Sequence, residues 1–123
     1  MNVLIADDDA DLRELVSIAV LKAGFTVTAA VGTGTDAWAM LQGSEIDLAV
    51  LDISMPGMTG LEVTRLARTE PGLEQLVVLI ITADGSVSIG AEAEAAGANG
   101  LLTKPFRVRE LVRLLREHAP ADR

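Results

Sequence analysis

The chain contains no cysteine and no tyrosine, and its one histidine is His118. Without cysteine there can be no disulfide framework, no thiolate metal site and no cysteine nucleophile. A single histidine also excludes metal sites built from several histidines. A metal ion bound by the side chains of this chain must therefore be held by oxygen atoms.

Basic residues are scarce as well, because ten Lys and Arg stand against eighteen Asp and Glu, for a formal net charge of −8. Nucleic-acid backbones and anionic membranes attract surplus cations, so neither is expected as a direct partner. The balance favours a cationic partner or a bound metal ion. No basic segment followed by an apolar stretch opens the chain, and no run approaches the ~20 apolar residues that span a bilayer. We therefore expect a cytoplasmic protein.

The apolar residues of the chain are grouped in short runs rather than long ones. Half of the 123 residues are hydrophobic, which is enough for one domain with a buried core. Continuous apolar runs are typical of parallel strands that are covered on both faces. A further segment, 25–31, alternates in polarity and suits a strand at the edge of a sheet. The four continuous runs are 3–6, 48–51, 76–81 and 101–102.

Helical patterns separate these runs. Apolar residues at helical spacing predict a helix over 12–23 that ends at Gly24, and another over 108–115. Strands that alternate with helices predict an α/β fold, with a parallel sheet and helices on both of its faces. We expect residues 1–118 to form the domain and residues 119–123 to be a tail or the start of a truncated linker. Shorter helices fit at about 35–42, 60–69 and 86–96.

Polar residues follow the predicted strands at the point where each strand ends. Three aspartates, 7–9, follow the first run, Asp52 and Thr82 follow two central runs, and Lys104 follows the last. Ligands of an open parallel sheet bind outside the carboxyl ends of its strands. These side chains should therefore meet in one crevice.

Carboxylates that are brought together repel one another unless a cation or a proton intervenes. Oxygen ligands that are few in number suit Mg²⁺, which typically takes one or two carboxylates and a phosphate oxygen. An ammonium from Lys104 and a hydroxyl from Thr82 would balance the charge of a transferring phosphoryl group. Asp52 is the candidate nucleophile, since a carboxylate can form an acyl phosphate.

The motifs at these strand ends resemble those of the receiver domain of two-component response regulators, including the chemotaxis regulators. The resemblance covers almost the whole chain and implies a flavodoxin-like, doubly wound sheet of five parallel strands in the order 2-1-3-4-5, with five helices. The motifs that carry it are IADD at 5–8, DISMPGMTG at 52–60, ITA at 81–83 and KPF at 104–106.

The resemblance also implies a function and a set of roles. Asp52 would accept a phosphoryl group from a histidine kinase or a histidine phosphotransfer protein, in a two-component system or phosphorelay. The chain would catalyse only its own phosphoryl transfer and dephosphorylation. Mg²⁺ would be the cofactor, and the Lys104–Pro105 bond would be cis. The implied metal ligands are Asp8, Asp52 and the carbonyl of Ser54, with Asp7 acting mainly through water; the implied phosphoryl contacts are Thr82, Lys104 and the backbone of Ile53 and Ala83.

Three positions depart from the usual pattern of the family. Leu101 stands where many members carry a switching Tyr or Phe, so the switch would pair Thr82 with Leu101. The response to phosphorylation would lie at the 84–101 face and control an output that the sequence does not identify. Thr59 replaces a common acidic residue and remains suited to cap a helix. Asn99 and the glycine after it replace an acidic pair found in many relatives that dimerise.

Other interpretations start from the same residues. The chain could be a degenerate receiver that binds partners without phosphorylation. A flavodoxin-type carrier needs a phosphate-cradling loop after the first strand, where three aspartates would repel the phosphate. A haloacid-dehalogenase-type phosphatase would use Asp7 and Asp9 and leaves Asp52 without a role. Asp9 and Asp11 are typical of a helix start. Four arginines, which form a basic helix face or a docking surface, are Arg107, Arg109, Arg113 and Arg116.

Overall fold

A computed structural model of the protein describes residues 1–119, in which five strands alternate with five helices. This is the predicted order. The predicted tail lies outside the described residues from position 120 onward. The elements are β1 (Asn2–Ala6), α1 (Ala10–Lys22), β2 (Thr26–Val31), α2 (Gly34–Gly43), β3 (Leu48–Asp52), α3 (Gly60–Thr69), β4 (Val77–Thr82), α4 (Val87–Ala96), β5 (Gly100–Thr103) and α5 (Val108–His118).

The strands form one parallel sheet in the order β2-β1-β3-β4-β5. This confirms the predicted flavodoxin-like topology. The strands β3 and β4 are buried at every residue, which explains their continuous apolar sequences. The strand β2 lies at the edge, as predicted, and its residues alternate between exposed and half-buried.

Two apolar cores lie on opposite faces of the sheet. Successive side chains of a strand point to opposite faces, so Leu4 belongs to one core and Ile5 to the other. The helices α1 and α5 cover the face of Ile5, and α2, α3 and α4 cover the face of Leu4. No helix among residues 1–119 combines the length and the apolar character needed to cross a membrane.

The strand β2 begins one residue later than the sequence pattern indicates, because the turn that caps the carboxyl end of α1 includes Phe25. The N–H of Phe25 donates to the carbonyl of Val20 at 3.1 Å, and the N–H of Gly24 donates to that of Leu21 at 3.0 Å. Together these bonds form a Schellman motif, in which Gly24 takes a φ of 89°. Phe25 therefore belongs to the turn that ends the helix.

The start of α3 lies directly against the end of β3. A Cβ on Gly60 would lie 2.3 Å from the carbonyl oxygen of Asp52, so only glycine permits this approach. The preceding Thr59 caps the helix, as predicted: its Oγ1 accepts from the N–H of Glu62 at 3.1 Å, and Glu62 Oε1 accepts from the N–H of Thr59 at 2.8 Å. The helix is thus fixed at the strand end that carries Asp52.

Candidate functional site

The polar residues that follow the strands meet at the carboxyl edge of the sheet. Asp52 is the last residue of β3, Thr82 is the last of β4, and Asp7 follows β1. The parallel pairing aligns Asp52 with Ile81, so the two central strands end at the same level. The N–H of Lys104 donates to the carbonyl of Thr82 at 2.8 Å, which places Lys104 at the same edge. The expected convergence is therefore present.

Three carboxylates form what we call the acidic cluster: Asp7, Asp8 and Asp52. One oxygen from each lies within 4.8 Å of the others. Asp7 and Asp52 are only 2% and 5% exposed, whereas Asp8 is exposed to solvent. Two buried carboxylates and one exposed carboxylate thus face a common point that solvent can reach. This set of hard oxygen donors fits Mg²⁺, which keeps part of its water when it binds.

Lys104 lies between the two buried carboxylates. Its Nζ is 3.3 Å from Asp7 Oδ2 and 3.3 Å from Asp52 Oδ1. The peptide bond between Lys104 and Pro105 is cis, as predicted. One ammonium therefore serves a cluster of three carboxylates, and it leaves an excess of negative charge at the site.

The pKa values reflect this excess. Burial, followed by the negative charge of Asp7, raises the pKa of Asp52 above its ordinary value, even though the ammonium of Lys104 lowers it. Burial by itself would lower the pKa of Lys104. The charges of Asp52 and Asp7 outweigh that effect, so the pKa of Lys104 is raised. The lysine is thereby held in its charged form, while Asp52 would gain from a further cation nearby.

Asp9 and Asp11 do not join the acidic cluster. The side chain of Asp9 caps α1, where its Oδ1 accepts from the N–H of Asp11 at 2.9 Å and from that of Leu12 at 3.4 Å. The N–H of Asp9 donates to Asp7 Oδ1 at 2.9 Å, so the same turn holds one of the cluster's carboxylates. The prediction that Asp9 and Asp11 start a helix is confirmed.

The hydroxyl of Thr82 is tied to the loop before α4. Thr82 is 4% exposed, and its Oγ1 accepts from the N–H of Asp84 at 3.0 Å. The side chain of Asp84 in turn accepts from the N–H of Ser86, whose hydroxyl caps α4 by accepting from Ile89. Leu101 pairs with Ile80 in the sheet and is half-buried against the core beneath α4. A change at Thr82 can therefore reach the 84–101 face through this chain of hydrogen bonds.

Three residues were predicted to contact the metal ion or the phosphoryl group through their backbone: Ile53, Ser54 and Ala83. The N–H of Ile53 donates to the carbonyl of Ile81 at 3.3 Å, so it is free for a phosphoryl oxygen only if this bond breaks. Ser54 and Ala83 are exposed and lie directly after Ile53 and Thr82 respectively.

Comparison with known proteins decides the family. A sequence profile described as the response regulator receiver domain matches residues 3–116. The chain belongs to the response regulator receiver family. Receiver domains of this family serve two-component signalling, and membership excludes the flavodoxin-type and dehalogenase-type interpretations.

Individual relatives agree with this assignment. The chemotaxis protein CheY of Pseudomonas aeruginosa is 39% identical over 111 residues, which are 90% of this chain and 90% of CheY. The DNA-binding response regulator MtrA of Mycobacterium tuberculosis is 36% identical over 94% of this chain, which spans 49% of MtrA. The solved structure of the chemotaxis response regulator CheY4 of Vibrio cholerae superposes with a TM-score of 0.87 at 33% identity, covering 94% of this chain and 96% of CheY4.

Sequence reasoning missed one residue at the receiver's site. The guanidinium of Arg13 donates through Nη1 to the backbone carbonyl of Asp7 at 2.8 Å. The only signal in the sequence is a basic residue in the first turns of α1, close to several acids. A bond from a side chain to a backbone carbonyl leaves no residue pattern, so the contact is visible only in the structure.

Proposed function

We propose that this receiver domain is a signalling switch whose Asp52 accepts a phosphoryl group from the phosphohistidine of a histidine kinase or a histidine phosphotransfer protein. The observation that carries the proposal is the position of Asp52. It is a buried carboxylate at a strand end, with oxygens of Asp7 and Asp8 within 4.8 Å and Lys104 Nζ at 3.3 Å. The CheY and MtrA relatives support the same class of function.

The transfer requires one bond to form and one to break. An oxygen of the Asp52 carboxylate attacks the phosphorus of the donor and forms a P–O bond, which makes an acyl phosphate. The P–N bond to the imidazole breaks, its electron pair returns to the ring nitrogen, and this nitrogen takes a proton from solvent. Lys104 donates hydrogen bonds to the phosphoryl oxygens and balances part of their charge. Thr82 and the N–H of Ala83 provide further donors.

The acidic cluster would hold Mg²⁺ through Asp8, Asp52 and the carbonyl of Ser54, with Asp7 binding through water. When bound, the ion shields the negative charge of the nucleophile from that of the donor. The fit rests on the donor set, because all of these ligands are hard oxygens and the pKa of Asp52 is raised by burial and by Asp7.

The chain would catalyse only its own phosphorylation and dephosphorylation and would act on no other substrate. Residues 1–118 would form the receiver domain, and the protein would work in the cytoplasm, where kinases present phosphohistidine. The output, as a further domain or a separate protein, would respond to the 84–101 face. Because the chain has a net charge of −8, neither nucleic acid nor an anionic membrane would be a direct partner of this domain.

Phosphorylation would change the hydrogen bond that Thr82 makes now. Its hydroxyl would turn from the N–H of Asp84 to the phosphoryl oxygens, because bonds to charged groups are stronger than neutral ones. The loop before α4 would lose one anchor, and Leu101 would move into the space beside β4. Leucine has no hydroxyl to anchor either state, so we expect a smaller difference between the two states than an aromatic residue would give.

Nuclear magnetic resonance of the full chain with Mg²⁺, with and without beryllium fluoride, tests this switch. We expect chemical shifts to change throughout 84–101 as well as around Asp52. Changes confined to the acidic cluster would show that the receiver signals through another face. Leu101→Tyr should sharpen the separation of the two states, and an unchanged population of the active state would refute the steric argument.

Acetyl phosphate, a small donor of phosphoryl groups, tests the function itself. We expect Mg²⁺-dependent incorporation of phosphate into the wild-type chain, none in Asp52→Asn, and none with EDTA. Asp36→Asn, which changes an exposed aspartate of α2, is the matched control and should behave as wild type. A wild-type chain that takes up no phosphate from acetyl phosphate or from phosphorylated kinases would favour the degenerate receiver instead.

A further inference from the structure

The backbone of Asp7 is held from two sides. Its N–H donates to the carbonyl of Val31 at the end of β2, at 3.1 Å, and its carbonyl accepts from Arg13 Nη1 at 2.8 Å. Its carboxylate is held by the N–H of Asp9 and by Lys104. Every polar group of Asp7 therefore has a partner, and Arg13 is the partner that reaches it from within α1.

Gly32 leaves the space that the guanidinium occupies. A Cβ on this residue would lie 3.2 Å from Arg13 Nη1 and 4.0 Å from the carbonyl oxygen of Asp7. The first distance is tighter than ordinary van der Waals contact, so any side chain here would push the guanidinium away by a few tenths of an ångström. The loop after β2 is thus shaped around the bond between Arg13 and Asp7.

The bond also bears on Asp8. The carbonyl of Asp7 and the N–H of Asp8 belong to one planar peptide unit, so a bond that orients the first also orients the second. The side chain of Asp8 is exposed and makes no hydrogen bond or ion pair among residues 1–119. The direction of its carboxylate therefore depends on the backbone that carries it.

We propose that Arg13 is a positioning residue, which fixes the peptide between Asp7 and Asp8 so that both carboxylates face the metal ion. This inference rests on the proposed function, because it assumes that the acidic cluster binds Mg²⁺. The guanidinium bonds to the backbone carbonyl of Asp7 and makes no ion pair with a carboxylate among the described residues. It acts through the backbone of the ligands, and its loss should weaken metal binding more than it slows the transfer once the ion is bound.

Two substitutions remove or disturb this bond, and a third preserves its charge. Arg13→Met deletes the donor and keeps most of the side chain's length, while Gly32→Ala leaves the arginine in place and crowds it. Arg13→Lys keeps a positive charge and a donor but loses the planar fork that guanidinium provides. Arg65→Met is the matched control, because Arg65 is an exposed arginine of α3 that makes no ion pair with the acidic cluster among the described residues.

Calorimetric titration of each full chain with Mg²⁺ measures the effect. Groups that orient metal ligands typically contribute about tenfold or more to metal affinity, so Arg13→Met should raise the dissociation constant about tenfold. Gly32→Ala should raise it less, and Arg13→Lys should recover part of the affinity. At saturating Mg²⁺, the rate of phosphorylation by acetyl phosphate should stay within about twofold of wild type, since ground-state binding is what has been lost.

Three results would overturn the inference. One is a dissociation constant for Arg13→Met equal to that of wild type. Another is an equal loss in Arg65→Met, which would indicate a general effect of net charge. A third is a melting temperature in EDTA that falls in Arg13→Met while the affinity of the folded variant for Mg²⁺ is unchanged, which would make the role purely structural. A wild-type chain that binds no Mg²⁺ would instead refute the proposed metal site itself, and this inference with it.

Discussion

Two groups of polar side chains lie at opposite edges of the sheet, and they are built in different ways. At the amino edge, the guanidinium of Arg68 donates to the carbonyls of Gly97 and Leu76 at 2.9 and 2.7 Å. It also donates to Asn99 Oδ1 at 2.8 Å, and the same oxygen accepts from the N–H of Val78 at 2.8 Å. We call this group the arginine network. It joins the end of α3 to the starts of β4 and β5.

In the arginine network, the guanidinium of Arg68 is surrounded by neutral oxygen atoms, and each of them accepts a hydrogen bond from it. Burial lowers the pKa of Arg68, but the position at the end of α3 offsets part of that cost, because the carboxyl end of a helix attracts positive charge. The acidic cluster at the other edge has the opposite character. Asp7, Asp8 and Asp52 share one ammonium, so their repulsion is only partly compensated.

The arginine network thus contributes to stability at one edge of the sheet, and the acidic cluster provides a functional site at the other. A network of satisfied hydrogen bonds lowers the free energy of the folded state. A cluster with excess charge of one sign is a site for a cation or a proton, because binding either of them relieves the repulsion. We therefore expect a substitution in the arginine network to lower the free energy of unfolding and to leave phosphorylation unchanged. A substitution of Asp52 in the acidic cluster should instead raise the free energy of unfolding in the absence of metal and abolish phosphorylation.

The largest effect on stability is expected from Arg68→Met. The variant leaves the carbonyls of Gly97 and Leu76 without their donor, which should lower the free energy of unfolding by about 2 kcal/mol. Urea unfolding measures this loss, and Arg65→Met serves as a control with an expected change below about 0.5 kcal/mol. At a temperature where Arg68→Met is folded, its phosphorylation should equal that of wild type. If Arg68→Met were as stable as wild type, the contrast between the two edges would be refuted.

Mg²⁺ should stabilise the protein through the acidic cluster. At a concentration ten times its dissociation constant, a ligand that binds only the folded state adds about 1.4 kcal/mol, which raises the melting temperature by about 5 °C in a domain of this size. Asp8→Asn should lose this response, whereas Asp36→Asn should keep it. Thermal unfolding with EDTA and with excess Mg²⁺ checks the prediction, and an Mg²⁺ response in Asp8→Asn equal to that of wild type would contradict it.

A smaller effect is expected from Asp52→Asn in the absence of metal. Because burial and Asp7 raise the pKa of Asp52 in the folded state, that state holds the proton more tightly than the unfolded chain does. The contribution of this group to stability therefore falls as the pH rises from the unfolded value of 3.8 through the folded pKa, and it stays low above that window. At pH 7 in EDTA, Asp52→Asn should be more stable than wild type by about 1 kcal/mol.

The pH profile of unfolding distinguishes this cause from others. The advantage of Asp52→Asn should shrink as the pH falls towards 3.8 and disappear well below that value, where wild-type Asp52 is protonated in both states. Lys104 keeps its ion pair with Asp7 at 3.3 Å in the variant, so its charge is not left without a partner. The raised pKa of Lys104 adds stability that is lost only as the pH rises through that pKa, above 10.5, outside the range of this comparison. A variant that is less stable than wild type at pH 7 would contradict the account of repulsion.

Most of the fold was predictable because burial leaves its mark on the sequence. The strands β3 and β4 are buried at every residue, and only a continuous apolar run satisfies that requirement. The helix α1 ends before Gly24, as the sequence pattern predicted, because glycine can adopt a φ of 89° at no steric cost. The boundary at Phe25 was missed because a turn made of backbone hydrogen bonds has no side-chain pattern of its own.

The candidate site was predictable in its members and less so in its contacts. Asp52, Thr82 and Lys104 follow strand ends, and parallel strands bring their carboxyl ends to one edge. That Lys104 lies 3.3 Å from two carboxylates depends on side-chain geometry, which spacing does not determine. Arg68 and Asn99 are 31 residues apart and follow no motif, so the arginine network was beyond the reach of the sequence.

The central claim is that the partly compensated carboxylate of Asp52 receives the phosphoryl group. Borohydride reduces an acyl phosphate to an alcohol and leaves free carboxylates intact, so it marks the residue that carried the phosphate. Peptide mass mapping of the wild-type chain, treated with acetyl phosphate and Mg²⁺ and then with borohydride, should find the reduced side chain at position 52 and at no other aspartate. Reduction at Asp7 or Asp8, or phosphate on a hydroxyl or on His118 that borohydride does not remove, would contradict the account.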